Sequence, residues 1–359
     1  MNSGTGGFDS HALPPAAPAV TTPSPTRADA RALRLRPLER GDEEGLLAAW
    51  RRAFAVVDPG AARRTLEEWR WRFEGNPDGC QVMLALDGEG RVVAQFAASG
   101  ALFELDGERL RAGQALDSFV DRAWRGLGRS GAFVRTGLAF AERFGGEGQG
   151  RSAFLWGLPA PAARRIGAAR LGYGFVRSVL QLAREPEALT LPAVGAREAR
   201  EVAAFDGSYD AFFAAQARAR GALWVRDARR LTWRYRARPG VDYRVAEVRA
   251  GGRLEGWAVV ARGRFAEREA TLLVDLLCQP EGRALAALTA WAAERARDEG
   301  LPLVALLPDT SREFLALQEI GLRVEPTPYT LVARSWRRAL DVADLRAKLW
   351  ITLGDTDLC

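Results

Sequence analysis

The sequence predicts an α/β (α+β) protein built from two tandem units, each a mixed, mostly antiparallel sheet flanked by helices. Three observations predict it. The 359 residues exceed one typical domain and suit two, with 48% hydrophobic residues to fill the cores. Apolar patterning between residues 31 and 185 runs strand, helix, helix, three strands, helix, strand, helix, strand. Past Glu185-Pro186 the pattern restarts. Trp71-Arg72-Phe73 and Pro77 recur as Trp233-Arg234-Tyr235 and Pro239, a shift of 162 positions that holds through Gly90-Arg91-Val92 and Gly252-Arg253-Leu254. The expected division is a disordered leader over 1–30, a first unit over 31–185, a second over 190–335, and a helix and tail over 336–359.

The leader is rich in Pro, Ala, Ser and Thr. Leu33-Arg34-Leu35-Arg36-Pro37-Leu38 alternates as a strand does, and Asp42 is placed to cap a helix carrying Leu46, Leu47, Trp50 and Phe54 on one face. A second amphipathic helix is expected over 61–73. Asn76-Pro77-Asp78-Gly79 reads as a turn. Strands are expected over 82–86 and 92–98 around the hairpin turn Asp87-Gly88-Glu89-Gly90, and the turn Asp106-Gly107 separates residues 102–105 from the strand that follows. Residues 115–120 then form a strand, 125–130 a tight Gly/Arg turn, and 131–144 a helix. A buried strand over 153–159, a short Arg-bearing helix and a closing strand over 175–182 complete the unit. The second unit repeats this order, with strands over 269–277 and 303–307, helices over 284–300 and 314–321, and a closing strand over 328–334. Trp69, Trp71 and Trp156 read as core residues.

Composition removes whole classes of chemistry. The only histidine, His11, lies in the leader, which argues against a Ser-His-Asp triad, a Cys-His pair or a His-ligated metal. Cys80, Cys278 and Cys359 are widely spaced and form no CxxC pair, so neither a disulfide framework nor a thiolate zinc site is expected. The net charge of +6 comes almost entirely from arginine, because Lys348 is the only lysine. No basic run interleaved with aromatics marks a nucleic-acid partner, and no apolar run approaches the roughly 18–20 residues of a membrane span. The leader lacks the pattern of a secretory signal, so a cytoplasmic location is expected.

The stretch 115–130, ALDSFVDRAWRGLGRS, carries the chemistry. Gly126 and Gly128 sit between arginines just ahead of a helix start, whose free N–H groups suit a phosphate. The turn Arg125-Gly126-Leu127-Gly128-Arg129-Ser130 resembles the acyl-CoA pyrophosphate loop of the GNAT superfamily of N-acyltransferases, whose pattern is Arg or Gln, two residues, Gly, one residue, then Gly or Ala. Arg125 and Gly128 match; Ser130 replaces the last small residue, with Gly131 beside it. The strand at 33–38 with Asp42, and Leu171-Gly172-Tyr173 as a closing signature, resemble other landmarks of that family. The resemblance covers residues 31–183, and the repeat extends it to 335.

The resemblance implies an acyltransferase, expected to move an acetyl group from acetyl-CoA to a primary amine by direct attack, with no metal. Phe119, Val120, Arg125, Gly126, Leu127, Gly128, Arg129, Ser130 and Gly131 would hold the acyl-CoA, and the partner would be a small-molecule or peptide amine. The strand at 115–120 would splay from the next one to admit the pantetheine arm. Asp117 and Asp121 are the candidate bases, each equally readable as a loop cap or an arginine partner. Many members carry a Tyr where this chain has Ala168, which leaves Tyr173 as the candidate acid, or else a packing residue. Asp355 and Asp357 form an acidic tail that pairs with arginines or lines an amine site. In the second unit Glu281 and a single turn glycine, Gly282, replace the Arg/Gly turn, so that half is expected to be degenerate. Two other readings fit these residues. One is a non-catalytic acyl-CoA-binding or scaffold protein, favoured by Ala168. The other is an aminoacyl transferase of the peptidoglycan-branching type, against which the CoA-type loop speaks.

Overall fold

The computed structural model describes residues 25–55, 60–126, 128, 131–191, 198–279 and 283–358. The first half runs α1 (Arg27–Ala32), β1 (Arg34–Pro37), α2 (Glu43–Phe54), α3 (Leu66–Phe73), β2 (Cys80–Leu86), β3 (Val92–Leu105), β4 (Glu108–Val120), α4 (Ala132–Phe144), β5 (Phe154–Gly157), α5 (Pro161–Arg170) and β6 (Gly174–Arg184). The second half repeats the order with β7 (Arg200–Glu201), α6 (Gly207–Arg220), β8 (Ala222–Trp224), α7 (Ala228–Tyr235), β9 (Arg244–Ala250), β10 (Arg253–Phe265), β11 (Arg268–Cys278), α8 (Ala284–Glu299), β12 (Leu303–Ala305), α9 (Arg312–Glu319) and β13 (Arg323–Ser335). A last helix, α10 (Val342–Lys348), leads into the tail.

All thirteen described strands join one sheet, in the order β1-β2-β3-β4-β5-β13-β6-β12-β11-β10-β9-β7, with β8 added on β3. The halves exchange their closing strands. β13 of the second half pairs antiparallel with β5 of the first, through Val332↔Gly157 to Ser335↔Phe154. β6 of the first half pairs antiparallel with β12 of the second, through Leu303↔Arg184 to Ala305↔Leu182. The two exchanged strands pair with each other in the centre. One apolar core therefore runs through both halves, from Phe103, Phe154 and Trp156 across Val176 and Leu182 to Trp257 and Leu288. Ion pairs from Asp78 to Arg229 (3.0 Å) and Arg230 (3.1 Å) add a polar clasp between the halves.

Of the first half's further clusters, two lie one on each face of its sheet. Leu46, Trp50, Trp69, Phe73, Leu84, Leu116 and Phe119 pack beneath α2 and α3. Phe96, Val134, Phe140, Leu155 and Leu171 pack beneath α4 on the other face.

Several local expectations change. Asp42 occupies the N-cap position of α2, but its carboxylate makes no cap bond; it accepts two bonds from Arg36 (2.6 and 2.8 Å) and one from the Glu39 N–H (2.8 Å). A bidentate charged pair outcompetes a single cap bond. The second helix starts at Leu66 rather than 61, because Thr65 and Glu68 form a capping box (3.1 and 2.9 Å) that fixes its first turn; residues 61–63 make only a 3₁₀ turn. The strand expected over 92–98 runs on to Leu105, since β3 continues through Gly100. A side chain at 100 would meet the backbone carbonyls of Asp78 and Gly79 at 2.5 Å. Trp69 and Trp156 are core residues, whereas Trp71 is half-buried and stacks on Trp233 at the junction of the halves. The end of the expected leader, from Arg27, belongs to α1, capped by Thr26.

Candidate functional site

β4 and β5 run parallel but stay hydrogen-bonded only over Ala112–Gln114 and Phe154–Trp156. The Ala115 carbonyl approaches Gly157 so closely that a Cβ there would lie 2.8 Å from it. Beyond that point β5 ends and β4 continues to Val120. One edge of residues 115–120 is therefore left without a strand partner among the described residues, and its backbone N–H and C=O groups can pair with an extended ligand.

A bulge shapes this stretch. Ala97 pairs with Leu116 and Gln95 with Phe119, so Asp117 and Ser118 together oppose Phe96. Asp117 has φ +51°, a costly conformation for a non-glycine residue. Gln95 Nε2 donates to the Asp117 carbonyl (2.7 Å), and the Ser118 hydroxyl accepts from the Ala97 N–H (3.2 Å). The bulge breaks the alternation expected from the sequence and turns Asp117 to the α2/α3 face, the face of Leu116 and Phe119. There its carboxylate ion-pairs with Arg64 and, at 3.8 Å, with Arg72. Burial alone would raise the Asp117 pKa, but the two guanidinium groups outweigh it and hold the carboxyl below its usual range.

Asp121 is spent on local structure. It pairs with Arg52 (3.0 Å) and accepts the Ala123 N–H (3.3 Å), capping a 3₁₀ turn over Arg122–Trp124. Phe119 is buried edge-on against Trp50 (5.7 Å). The Val120 carbonyl accepts from Arg125 Nε (3.2 Å), while Arg125 Nη2 reaches the Ala53 carbonyl (3.1 Å), so this arginine ties the loop to the end of α2. Gly126 (φ +82°) and Gly128 (φ +61°) both take the left-handed conformation that favours glycine, and a Cβ on either would meet nothing within 4 Å. The Gly131 N–H donates to the Gly128 carbonyl (3.1 Å), and Gly131 is the N-cap of α4, which has no side-chain cap and no acidic residue in its first turn. Among the described residues no side chain caps its leading N–H groups in competition with a ligand. Leu127, Arg129 and Ser130 lie outside the described residues.

Tyr173 is not brought together with Asp117. It packs with the α4-side cluster, against Gly167 of α5, and burial raises its phenol pKa, with Arg334 lowering it slightly. The two candidates therefore sit on opposite faces of the sheet.

Sequence reasoning missed Arg64 and Arg72 as partners of Asp117; the signal was the bulge, which alternation hides. It did offer the tail carboxylates as arginine partners. Asp357 accepts from Gln114 Nε2 (3.1 Å) and lies 3.9 Å from Arg72 Nη1. Asp355 pairs with Arg226 (2.7 Å).

The second half repeats the divergence: β11 and β12 pair only over Thr271–Leu273 and Leu303–Ala305, while β11 continues to Cys278. Here the strand is closed off. Residues 274–278 are all buried, whereas Asp117, Ser118 and Val120 remain partly exposed. The tail packs on it, with Thr352 Oγ1 donating to Asp275 (2.9 Å). Glu281 and Gly282, on which the expected degeneracy of this half rests, lie outside the described residues. Among the described residues no group of His, Cys, Asp or Glu side chains gathers as a metal site, and no helix is long and apolar enough to cross a membrane.

No family model matches the sequence, and no curated protein matches it. Solved structures do resemble the fold. A conserved protein of unknown function from Enterococcus faecalis V583, a probable N-acyltransferase, has a TM-score of 0.60 at 16% identity over 85% of this chain and 73% of that one. A GCN5-related N-acetyltransferase from Anabaena variabilis has a TM-score of 0.63 at 11% identity over 84% of this chain and 72% of that one. A tandem GNAT protein from the clavulanic acid biosynthesis pathway has a TM-score of 0.51 at 17% identity over 84% and 98%. The fold is that of the GCN5-related N-acetyltransferases, in tandem.

Proposed function

We propose that the protein is an acyl-CoA-dependent N-acyltransferase, with its first half moving an acetyl group from acetyl-CoA to a primary amine. The observation that carries this reading is the contrast between the two slots. The first keeps an open β4 edge that leads into a turn with two positive-φ glycines and an uncapped helix start. The second is buried and covered by the chain's own tail.

In this reading the pyrophosphate lies over Gly126, Gly128 and the first turn of α4, where backbone N–H groups and the helix dipole favour anions. The pantetheine amides pair with the free edge of β4 around Phe119 and Val120. The amine approaches from the α2/α3 face as an ammonium ion and first gives one proton to water; its freed nitrogen lone pair then attacks the thioester carbonyl, and the new C–N bond forms as the C–S bond breaks. The departing thiolate takes up a proton and the acyl-ammonium group loses one. Tyr173, kept protonated by burial on the opposite face, is the donor we assign to the thiolate. Asp117, kept ionised by its arginines, is a weak proton acceptor, so it holds charge in the site and the ammonium proton passes to water.

The test is thiol release from acetyl-CoA across a panel of primary amines. Amine-dependent release that falls at least about tenfold in Tyr173→Phe supports the reading, a typical contribution for a positioned proton donor being ~10²-fold. Binding of acetyl-CoA without turnover of any amine would favour a binding protein instead.

A further inference from the structure

The tail crosses from one half to the other. In the second half, Thr352 donates to Asp275, Asp355 accepts from Arg226 (2.7 Å), and Arg234 donates to the carbonyls of Gly354 (2.9 Å) and Thr356 (3.3 Å). Gly354 lies directly against the Tyr235 hydroxyl, where any side chain would clash. Three positions on, Asp357 is in the first half, bonded to Gln114 of β4 and facing Arg72 of α3. Arg72 and Arg234 are equivalent positions of the repeat, so the same helix-end arginine faces the tail in both halves.

Two carboxylates line this side of the first slot, and they differ in what they have left to offer. Asp117 keeps 4% of its side-chain surface exposed and is taken by Arg64 and Arg72. Asp357 keeps 28% exposed; among the described residues its carboxylate accepts from Gln114 and from its own backbone N–H and makes one long ion pair, to Arg72. Primary amines arrive as ammonium ions at neutral pH and need a carboxylate with free acceptor capacity.

We propose that Asp357 is the residue that receives the acceptor's ammonium group, and that the second half acts as a clamp on residues 352–356 that sets it there. This rests on the N-acyltransferase reading and gives the degenerate half a role. It also defines the acceptor as a cation rather than a neutral amide or alcohol. The groups facing Asp357 are Arg72 and Arg64 from the α3 side, Asp117 from β4 and Tyr329 from β13. Burial raises the Asp357 carboxyl and the neighbouring Asp117 adds to this, while Arg72, its own backbone N–H and Arg64 oppose it. An arriving ammonium relieves that like-charge crowding.

The experiment is steady-state kinetics of the full chain with acetyl-CoA and tyramine, spermidine or a lysine-bearing peptide, beside acetyl-CoA titration. Asp357→Asn should raise the amine KM about tenfold, the scale of one lost charge-assisted bond, and leave the acetyl-CoA Kd within twofold. Asp357→Glu should restore part of the loss. Arg234→Gln, in the other half, should raise the amine KM in the same way and speed hydrogen exchange of amides 352–356. An unchanged amine KM in Asp357→Asn, or an equal loss of acetyl-CoA affinity, overturns the proposal. A wild-type chain that binds no acetyl-CoA overturns the acyltransferase reading itself, a result distinct from either.

Discussion

Trp71 and Trp233 stand 162 positions apart and stack on each other, ring centroids 4.9 Å apart and planes 11° from parallel; each indole N–H donates to the other's backbone carbonyl at 2.9 Å. Each residue does to its partner what the partner does to it, the relation of two units about a two-fold axis. The repeat seen in the sequence is thus also one of the contacts that join the halves. Trp233→Ala should destabilise the fold by about 3 kcal/mol, and either Trp→Phe by about 1 kcal/mol for the lost hydrogen bond. A urea-denaturation double-mutant cycle on the two Trp→Phe changes should give a coupling of about 0.5–1.5 kcal/mol.

Asp117 ties the strained bulge to α3, and its pKa lies below the unfolded value of about 3.9. A depressed carboxyl contributes stability that is fully present above the unfolded pKa and is lost as pH falls through the folded one. Stability should therefore fall below about pH 4, and Asp117→Asn should flatten that fall. The same change should cost about 3 kcal/mol at neutral pH by taking the carboxylate from Arg64 and leaving Arg72 only its long pair with Asp357. Denaturation curves from pH 7 down to pH 3 on both proteins check this, and the comparison isolates Asp117 from the raised carboxyls of Asp355 and Asp357.

Arg226 is 98% buried, holds Asp275 (3.1 Å) and Asp355 (2.7 Å), and sits where the tail meets β11. Arg226→Leu leaves both carboxylates without a cation and should cost about 4 kcal/mol. Asp355→Asn should cost less, since Arg226 keeps Asp275. Equilibrium unfolding in urea reads both.

Burial pushes the Cys80 thiol up to about 11 and the Cys278 thiol up to about 12. Thiols held this high carry little thiolate at neutral pH. Iodoacetamide at pH 7.5 should leave both unmodified in the native protein and label both after denaturation, as read by peptide mass spectrometry.

Much of this was legible in the chain. The helices and strands of both halves follow their apolar periods, and the strand before the Gly/Arg turn was identifiable from local pattern alone. The strand exchange was not. β6 and β13 both read as closing strands, and nothing local in Leu180-Gln181-Leu182 tells which half will supply its neighbour Ala305. Asp42 was read as a cap because sequence places it beside the helix, while its partner Arg36 is set by the fold of β1. At Asp117, alternation assigned a face that the bulge reverses. The tail's aspartates were legible as arginine partners by charge, but that Arg226 takes Asp355 and Arg72 faces Asp357 depends on contacts between residues far apart in sequence.

In the function proposed, one half alone binds acyl-CoA, through the glycine turn ahead of α4. Acetyl-CoA titrated calorimetrically into the wild type and Gly128→Asp tests it most directly. The left-handed backbone at 128 tolerates Asp at a cost of about 1 kcal/mol, and the side chain meets open space, so the fold should survive. One site per chain in the wild type, and none in a folded Gly128→Asp, is the result expected here. Two sites per chain, or unchanged affinity in the variant, would contradict it.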